Sequence, residues 1–331
     1  MADTLYRYDE PTSAWTPVTN INRIEVGGGS NIYEPVEFEI EITAINTEFK
    51  LNIVSPADVN VNWGDGFSVN HLSKGATTTV LSNIYSSIGT YTITISGYCE
   101  NFSMNNTVAK NAVKKINNIG TIARYLDNAF KECIYLTDLS NVVLKGDRLL
   151  SVTALFYGCS GLTSIPQTLM ENSNITDVSY MFYNCSNIAS IPSFLFNGLN
   201  ISNSMNMFSG CSKLTSLPDD LFNGCLAFYA SATYSPFKST GVTSISPYVL
   251  RGYLGTSTGG LLANITGITS VPSGILEGLN ITDVSYMFYN CSNIASNVPD
   301  LWNDIQYVSF YRCYYGCTKA SNYASIPATW K

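Results

Sequence analysis

Acid–base or nucleophilic chemistry built on an imidazole has one possible source in this chain, because His71 is its only histidine. A Ser-His-Asp or Cys-His site would have to use it. His71 follows a turn between strand-like segments, which predicts a loop of a β-domain and a structural role. One histidine also excludes a histidine metal cluster. Cys313 and Cys317 form a Cys-x-x-x-Cys pair, but no second pair lies nearby to complete a four-cysteine zinc site. Asp65, in the turn Trp63-Gly64-Asp65-Gly66, could ligate calcium with neighbouring oxygens. An Asp so placed more commonly bonds its own turn backbone. Asp219 and Asp220 follow Pro218, where the start of a helical turn would favour negative charge. Glycoside hydrolysis needs two acids at a defined separation, and no pair stands out. The glycine-rich stretches at 27–29 and 255–260 lack the Lys and Ser/Thr of a phosphate loop. The expectation is a non-enzymatic chain with no cofactor and no metal.

The aromatic residues point instead to contact chemistry. There are 22 tyrosines, with clusters at Phe228-Tyr229, at Tyr234 and over residues 307–315. Tyr and Trp offer rigid amphipathic area and dominate binding hot spots. Phe228, Tyr229 and Tyr234 are therefore candidate binding residues. Others, such as Tyr183 and Tyr289, flank the repeat anchors described below and are expected to cover edges.

Composition narrows the partners. Charged residues are 12% of the chain, against about 25% in an ordinary domain. The balance of 17 basic and 24 acidic residues gives a net charge of −7. Neither a nucleic-acid backbone nor an anionic membrane is matched by that balance. No run of apolar residues is long enough to span a bilayer. Residues 1–10 are polar and acidic, without the basic and apolar regions of a secretory signal. The nine cysteines are thus expected as reduced thiols in a chain made in a cytosol.

The positioning elements come from an internal repeat. The string NITDVSYMFYNCSNIAS occupies residues 174–190 and recurs identically at 280–296. Cys133, Cys159, Cys185 and Cys211 are spaced by 26 residues. Each has a Phe three residues earlier (Phe130, Phe156, Phe182, Phe208) and Leu or Ile three residues later. Thr240 and Ile265 hold the cysteine position in two degenerate copies, and Cys291 and Cys317 resume it. A unit this short cannot bury its own apolar face, so neighbouring copies must share a core. The aromatic and cysteine positions are read as inward ladders of like on like. The Leu-Thr-Ser-Ile-Pro piece predicts a short strand ended by proline, with Thr163, Thr215, Thr243 and Thr269 along an exposed binding face. The Ser-Tyr-Met-Phe piece predicts one helical turn or a tight bend. A second helical turn is predicted at 193–197 and 219–223, closed by Gly198 and Gly224.

Ahead of the repeats, residues 37–45, 50–54, 58–63 and 91–96 alternate apolar and polar, which predicts a small β-sandwich. Four segments follow: a peptide and Gly-rich linker (1–30), the β-domain (31–99), a transition (100–122) and the repeats (123–331). The first holds Tyr6, Tyr8 and Trp15 ahead of Gly27-Gly28-Gly29-Ser30.

The recurring Met-Phe-x-x-Cys-Ser-x-Leu-Thr-Ser-Ile-Pro resembles the BspA-like and Mycoplasma-type leucine-rich repeats of bacterial surface proteins. The Trp63-Gly64-Asp65-Gly66 turn, with Tyr85 and the segment from Gly89 to Gly97, resembles a PKD-type module. The resemblance implies a mainly β fold with short helical turns: a leucine-rich-repeat-like solenoid of about eight coils behind a PKD-like sandwich. It also implies adhesion or ligand display. With no export signal in the sequence, the expected setting is a phage virion, as a fibre or receptor-binding protein, with a bacterial cell surface as the alternative. Tyr6, Tyr8 and Trp15 would dock the chain to other virion proteins. The repeats would face a host-surface glycan or protein. The last copy ends at Trp330-Lys331 without a polar cap, so a homo-oligomer contact is expected there. A glycan-active enzyme is the third reading.

Overall fold

The computed structural model describes residues 6–9, 14–17, 33–146, 148–303 and 309–331, with backbone alone for the first two stretches. It is mainly β. Strands β1 (Tyr6–Asp9) and β2 (Ala14–Pro17) form an antiparallel pair with Tyr8 opposite Trp15. The expected docking residues fall on these two strands. The Gly-rich linker lies outside the described residues.

Six further strands follow: β3 (Val36–Ile42), β4 (Thr47–Asn62), β5 (Ser68–Ser73), β6 (Thr78–Tyr85), β7 (Gly89–Met104) and β8 (Val113–Asn118). A six-residue helix α1 (Thr107–Ala112) precedes β8, and its N-cap Asn106 accepts the Ala109 N–H at 2.8 Å. The expected sandwich of two facing sheets becomes a single hydrogen-bonded network, β5-β4-β7-β3-β8 with β6 also on β4. The two 16-residue strands β4 and β7 make this possible. One edge of β4 takes β6 along Thr47–Val54 and β5 along Ala57–Asn62, with an irregularity opposite β7 between Val54 and Ala57. The buried positions of β4 alternate, from Phe49, Leu51 and Ile53 to Val59 and Val61, so a single face is apolar. The boundary drawn at residue 99 falls inside β7. The transition segment supplies α1 and β8, and β8 pairs with β3. His71 stands on β5 opposite Val59 rather than in a loop, because Ser68–Ser73 alternates and pairs in full.

The apolar face of the sheet meets the first repeat. Phe38 and Phe102 both set their rings edge-on to Phe130, at 5.5 and 5.8 Å. Cys99 bridges Ala123 in parallel, and Lys115 bridges Asp138. From there each copy hydrogen-bonds to the next. The N–H groups of Asn128, Ala154 and Tyr180 donate to the carbonyls of Thr153, Ser179 and Met205 at 2.8–2.9 Å. Parallel bridges run Tyr125–Ser151–Asp177–Asn203 and again Ser257–Asp283–Ser309. This column sits eight residues before the anchor position, two residues ahead of the Ser-Tyr-Met-Phe piece. The Leu-Thr-Ser-Ile segments are joined more sparsely, with one bridge at Ser216–Ser244. The proline that follows cannot donate and shortens them.

The Ser-Tyr-Met-Phe piece takes the tight-bend alternative, and the second turns at 193–197 and 219–223 are tight turns rather than helical ones. Tyr180, Tyr286 and Arg312 have φ of 56°, 59° and 53°, and Phe194 and Asp220 have 60° and 58°. A left-handed residue ends any right-handed helix. Gly198 and Gly224 do close their turns with positive φ, 75° and 71°.

The side-chain ladders follow the repeat. Phe156, Phe182, Phe208 and Phe237 stack at 5.5–5.6 Å. The cysteines do more than fill space. The thiols of Cys159, Cys185 and Cys211 donate to the carbonyls of Phe130, Phe156 and Phe182, each one copy earlier, at 3.0–3.2 Å. At the C-terminal end, the carbonyls of Thr329 and Trp330 accept the N–H groups of Arg312 and Tyr314, and the Trp330 ring stacks on Phe310 at 4.7 Å. The copy anchored by Cys317 is therefore covered by its own chain rather than bare.

All nine cysteines are free and buried. Burial pushes the thiols of Cys99, Cys211 and Cys317 up to about 12 and raises the others as well. Only thiolate reacts. Native chain at pH 8 should therefore show no labelling by a thiol-specific alkylating agent, and all nine cysteines should label in denaturant; mass spectrometry counts the adducts.

A candidate binding groove at the degenerate copies

The copy-to-copy hydrogen bonds fail at one junction. Asn206 and Gly210 still donate to Tyr234 and Lys238 of the Thr240 copy. No corresponding backbone bond joins that copy to the Ile265 copy among the described residues. Side chains bridge the gap: Ser235 Oγ donates to Leu261 O at 3.3 Å and Asn264 Nδ2 to Ala232 O at 2.5 Å. Gly260, at φ 69°, lies so close to the opposing main chain that a Cβ would sit 2.7 Å from Ala232 N. The 29-residue spacing from Cys211 to Thr240 puts the extra chain here, at residues 229–234.

A groove of about 670 Å³ opens at this junction. Its aromatic lining is Tyr229, Tyr286, Tyr289 and Tyr311, with Asp283 and Arg312 among them. Tyr229 is 61% exposed and Tyr311 50%. The Tyr286 and Tyr311 rings meet edge to face at 5.5 Å. The bridged column Ser257–Asp283–Ser309 runs along the groove. Asp283 is held on both oxygens: Oδ1 accepts the Ser285 N–H at 2.9 Å and Oδ2 accepts the Ser257 hydroxyl at 2.9 Å. The Ser285 and Ser309 hydroxyls lie 2.7 Å apart. The Arg312 guanidinium rests 5.0 Å from the Tyr311 ring centre and 5.1 Å from that of Tyr315. It makes no ion pair among the described residues. The arrangement supplies aromatic faces, hydroxyls, one acid and one free cation, all on rigid turns.

The chain matches no family model, no curated protein and no solved structure. The site must therefore be weighed on its own geometry. Of the residues singled out from sequence, Tyr229 lines the groove. Tyr234 is exposed but outside it. Phe228 is a correction: it is 3% exposed and packs its ring on Phe196 and Phe222 at 4.8 and 4.9 Å. It belongs to the core because β10 (Ala227–Phe228) pairs in parallel with β9 (Asn200–Ile201), turning Phe228 inward and Tyr229 out. Thr163, Thr215, Thr243 and Thr269 are all exposed at equivalent positions, and the groove does not include them. Asp283, Ser285 and Arg312 were not singled out. A recurrent Ser, Asp or Asn eight residues before the anchor was the signal available.

The remaining candidates have structural partners. Asp65 accepts the Phe67 N–H at 3.1 Å and the Asn83 amide at 2.7 Å. Asp220 stands in no helix; it takes a two-point bond from Arg251 at 2.6 and 2.5 Å, which holds its carboxyl below the usual range. Cys317 donates to Phe288 O at 3.2 Å. No group of three potential metal ligands occurs among the described residues.

Proposed function

We propose that this chain is a non-enzymatic display protein: a leucine-rich-repeat-like solenoid of about eight coils, capped by its N-terminal β-domain. The reading places it on a phage virion, as a fibre or decoration protein. The β1–β2 hairpin docks it to other virion proteins, and the groove face meets a host-surface glycan or protein. Homo-oligomers are part of the same reading. One observation carries it. Among the described residues, the one junction of the repeat without copy-to-copy backbone bonds coincides with a groove lined by four tyrosines, of which Tyr229 and Tyr311 are exposed. A regular stack serves as a support, and a local departure from it is where loops acquire function. A glycan-active enzyme is disfavoured by the lining, which holds the single carboxylate Asp283 where glycoside hydrolysis uses two. Immunogold imaging of purified particles with an antibody to this chain should decorate virions. Unlabelled particles, with label on bacterial cells instead, would transfer the role to a cell-surface adhesin.

A further inference from the structure

We propose that the groove is a binding site for a short neutral oligosaccharide. The inference rests on reading the groove as the ligand-binding face and names the ligand class.

A hexose ring is amphipathic. Its C–H groups form apolar patches, and its hydroxyls, each both donor and acceptor, form the rim. The complementary surface needs aromatic faces flanked by fixed polar groups that are not charged in excess. Tyr229, Tyr286 and Tyr311 supply the faces. Ser257, Ser285 and Ser309 supply hydroxyls, and Asp283 is oriented by the Ser285 N–H and Ser257 Oγ, so each carboxylate oxygen keeps a lone pair for a sugar hydroxyl. One Asp and one Arg cancel in charge, which disfavours an ionic ligand. The three bridged positions are about 4.8 Å apart, or about 10 Å end to end, which accommodates more than one ring. A protein partner would call for a larger apolar centre than these tyrosines provide.

The duplicated string gives an internal comparison. Asp283, Ser285, Tyr286 and Tyr289 of the second string line the groove, and their counterparts Asp177, Ser179, Tyr180 and Tyr183 do not. Ser179 is 3% exposed, whereas its counterpart Ser285 is half-buried and bonds Ser309. The neighbours make the difference. Before the second string stand Gly259 and Gly260, where the first has Thr153 and Ala154. After it come Tyr311 and Arg312, where the first has Met205 and Asn206. Gly259 leaves Asp283 Oδ2 and Ser257 Oγ uncovered, since a Cβ there would lie 3.2 and 3.3 Å from them, and Gly260 lets the 231–232 main chain approach; Tyr311 and Arg312 line the other side. Tyr286 and Arg312 also occupy left-handed positions, where Asn206 and Gly260 show less costly choices. Because Tyr180 holds the same left-handed position in the copy without a groove, only Arg312 is particular to the groove.

The test is isothermal titration of the full chain with hexamers of neutral glucose, mannose and galactose, and with hexagalacturonate as the anionic probe. At least one neutral hexamer should bind. Tyr286→Ala and Tyr311→Ala should weaken it tenfold or more, and Tyr180→Ala should leave it unchanged. Tyr180→Ala makes the same change at the same backbone position, so it subtracts any shared folding cost. Binding of no neutral hexamer, equal losses for Tyr180→Ala and Tyr286→Ala, or preference for hexagalacturonate would each overturn the proposal. Labelled virions without saccharide binding would sink the ligand class and leave display standing. Saccharide binding by a chain missing from virions would do the reverse.

Discussion

Phe182→Ala should destabilise the chain by about 3–5 kcal/mol, the usual range for removing a fully buried phenyl ring. Phe182 is 0% exposed. Its ring lies 5.5 Å from Phe156 on one side and 5.5 Å from Phe208 on the other. Alanine would leave a void between two rings fixed by their own turns, and the copy-to-copy hydrogen bonds on either side prevent collapse into it. The outer tyrosine ladder makes the control. Tyr183 stacks on Tyr157 at 4.8 Å and meets Tyr180 at 5.8 Å but is only half-buried, so Tyr183→Ala should cost about 1–2 kcal/mol, the worth of two partly exposed aromatic pairs. Urea unfolding followed by circular dichroism measures both. Similar midpoints for the two variants would remove the inner aromatic ladder as the main source of stability.

That contrast also marks what the sequence could disclose. The period, the inward Phe and Cys positions and the two degenerate copies were legible because each is one residue type at one spacing. The thiol-to-carbonyl bonds were not. They need the carbonyl of Phe130 to face Cys159 across a copy boundary, and that depends on left-handed turns no side chain announces. Glu132 and Tyr180 adopt φ of 61° and 56° with nothing in their types to say so. The helical turns predicted at 193–197 and 219–223 failed on the same point. In the β-domain, β3, two pieces of β4 and part of β7 were legible from their alternation, whereas β5, β6 and β8 were not. Its connectivity was hidden, because β4 carries two partners on one edge and only the local irregularity near Ser55 separates them.

The site was half legible. Sequence singled out Tyr229 and marked the two degenerate copies, which form one side of the candidate groove; the other side, residues 283–289 and 309–312, lies in regular copies. It misassigned Phe228, since Phe228 at the end of the two-residue β10 and Tyr229 just after it face opposite ways and only the pairing with Asn200–Ile201 says which is inside. It missed Asp283 because that aspartate occurs within a string shared with residues 174–190. An identical sequence cannot show which copy has open neighbours. Tertiary context alone separates them, through Gly259 and Gly260 before the string and Tyr311 after it.

The second large effect concerns the cap. Gly97, on β7 opposite Val59, has φ of 104°, and a Cβ there would sit 2.1 Å from Asp58 O and 3.1 Å from Val59 Cα. Both obstacles are main chain, so no side chain can move aside. Gly97→Ala combines backbone strain with a forced separation of β4 from β7, about 2–6 kcal/mol in all. The damage should spread in one direction. Phe38 and Phe102 cover Phe130 from this sheet, and Cys99 is tied to the start of the first repeat by its parallel bridge to Ala123, with its N–H on Ile122 O at 3.1 Å. In a stack whose members touch only their neighbours, loss of an end frays the adjacent copy first. Position-resolved alkylation at pH 8 should therefore label Cys99 and Cys133 before Cys185 and Cys211, alongside a lowered melting midpoint. An unchanged midpoint with no new labelling would remove Gly97 from its place between β4 and β7. Simultaneous labelling of all four thiols would mean that the sheet and the repeats open as one cooperative unit, and the cap would then be inseparable from what it covers.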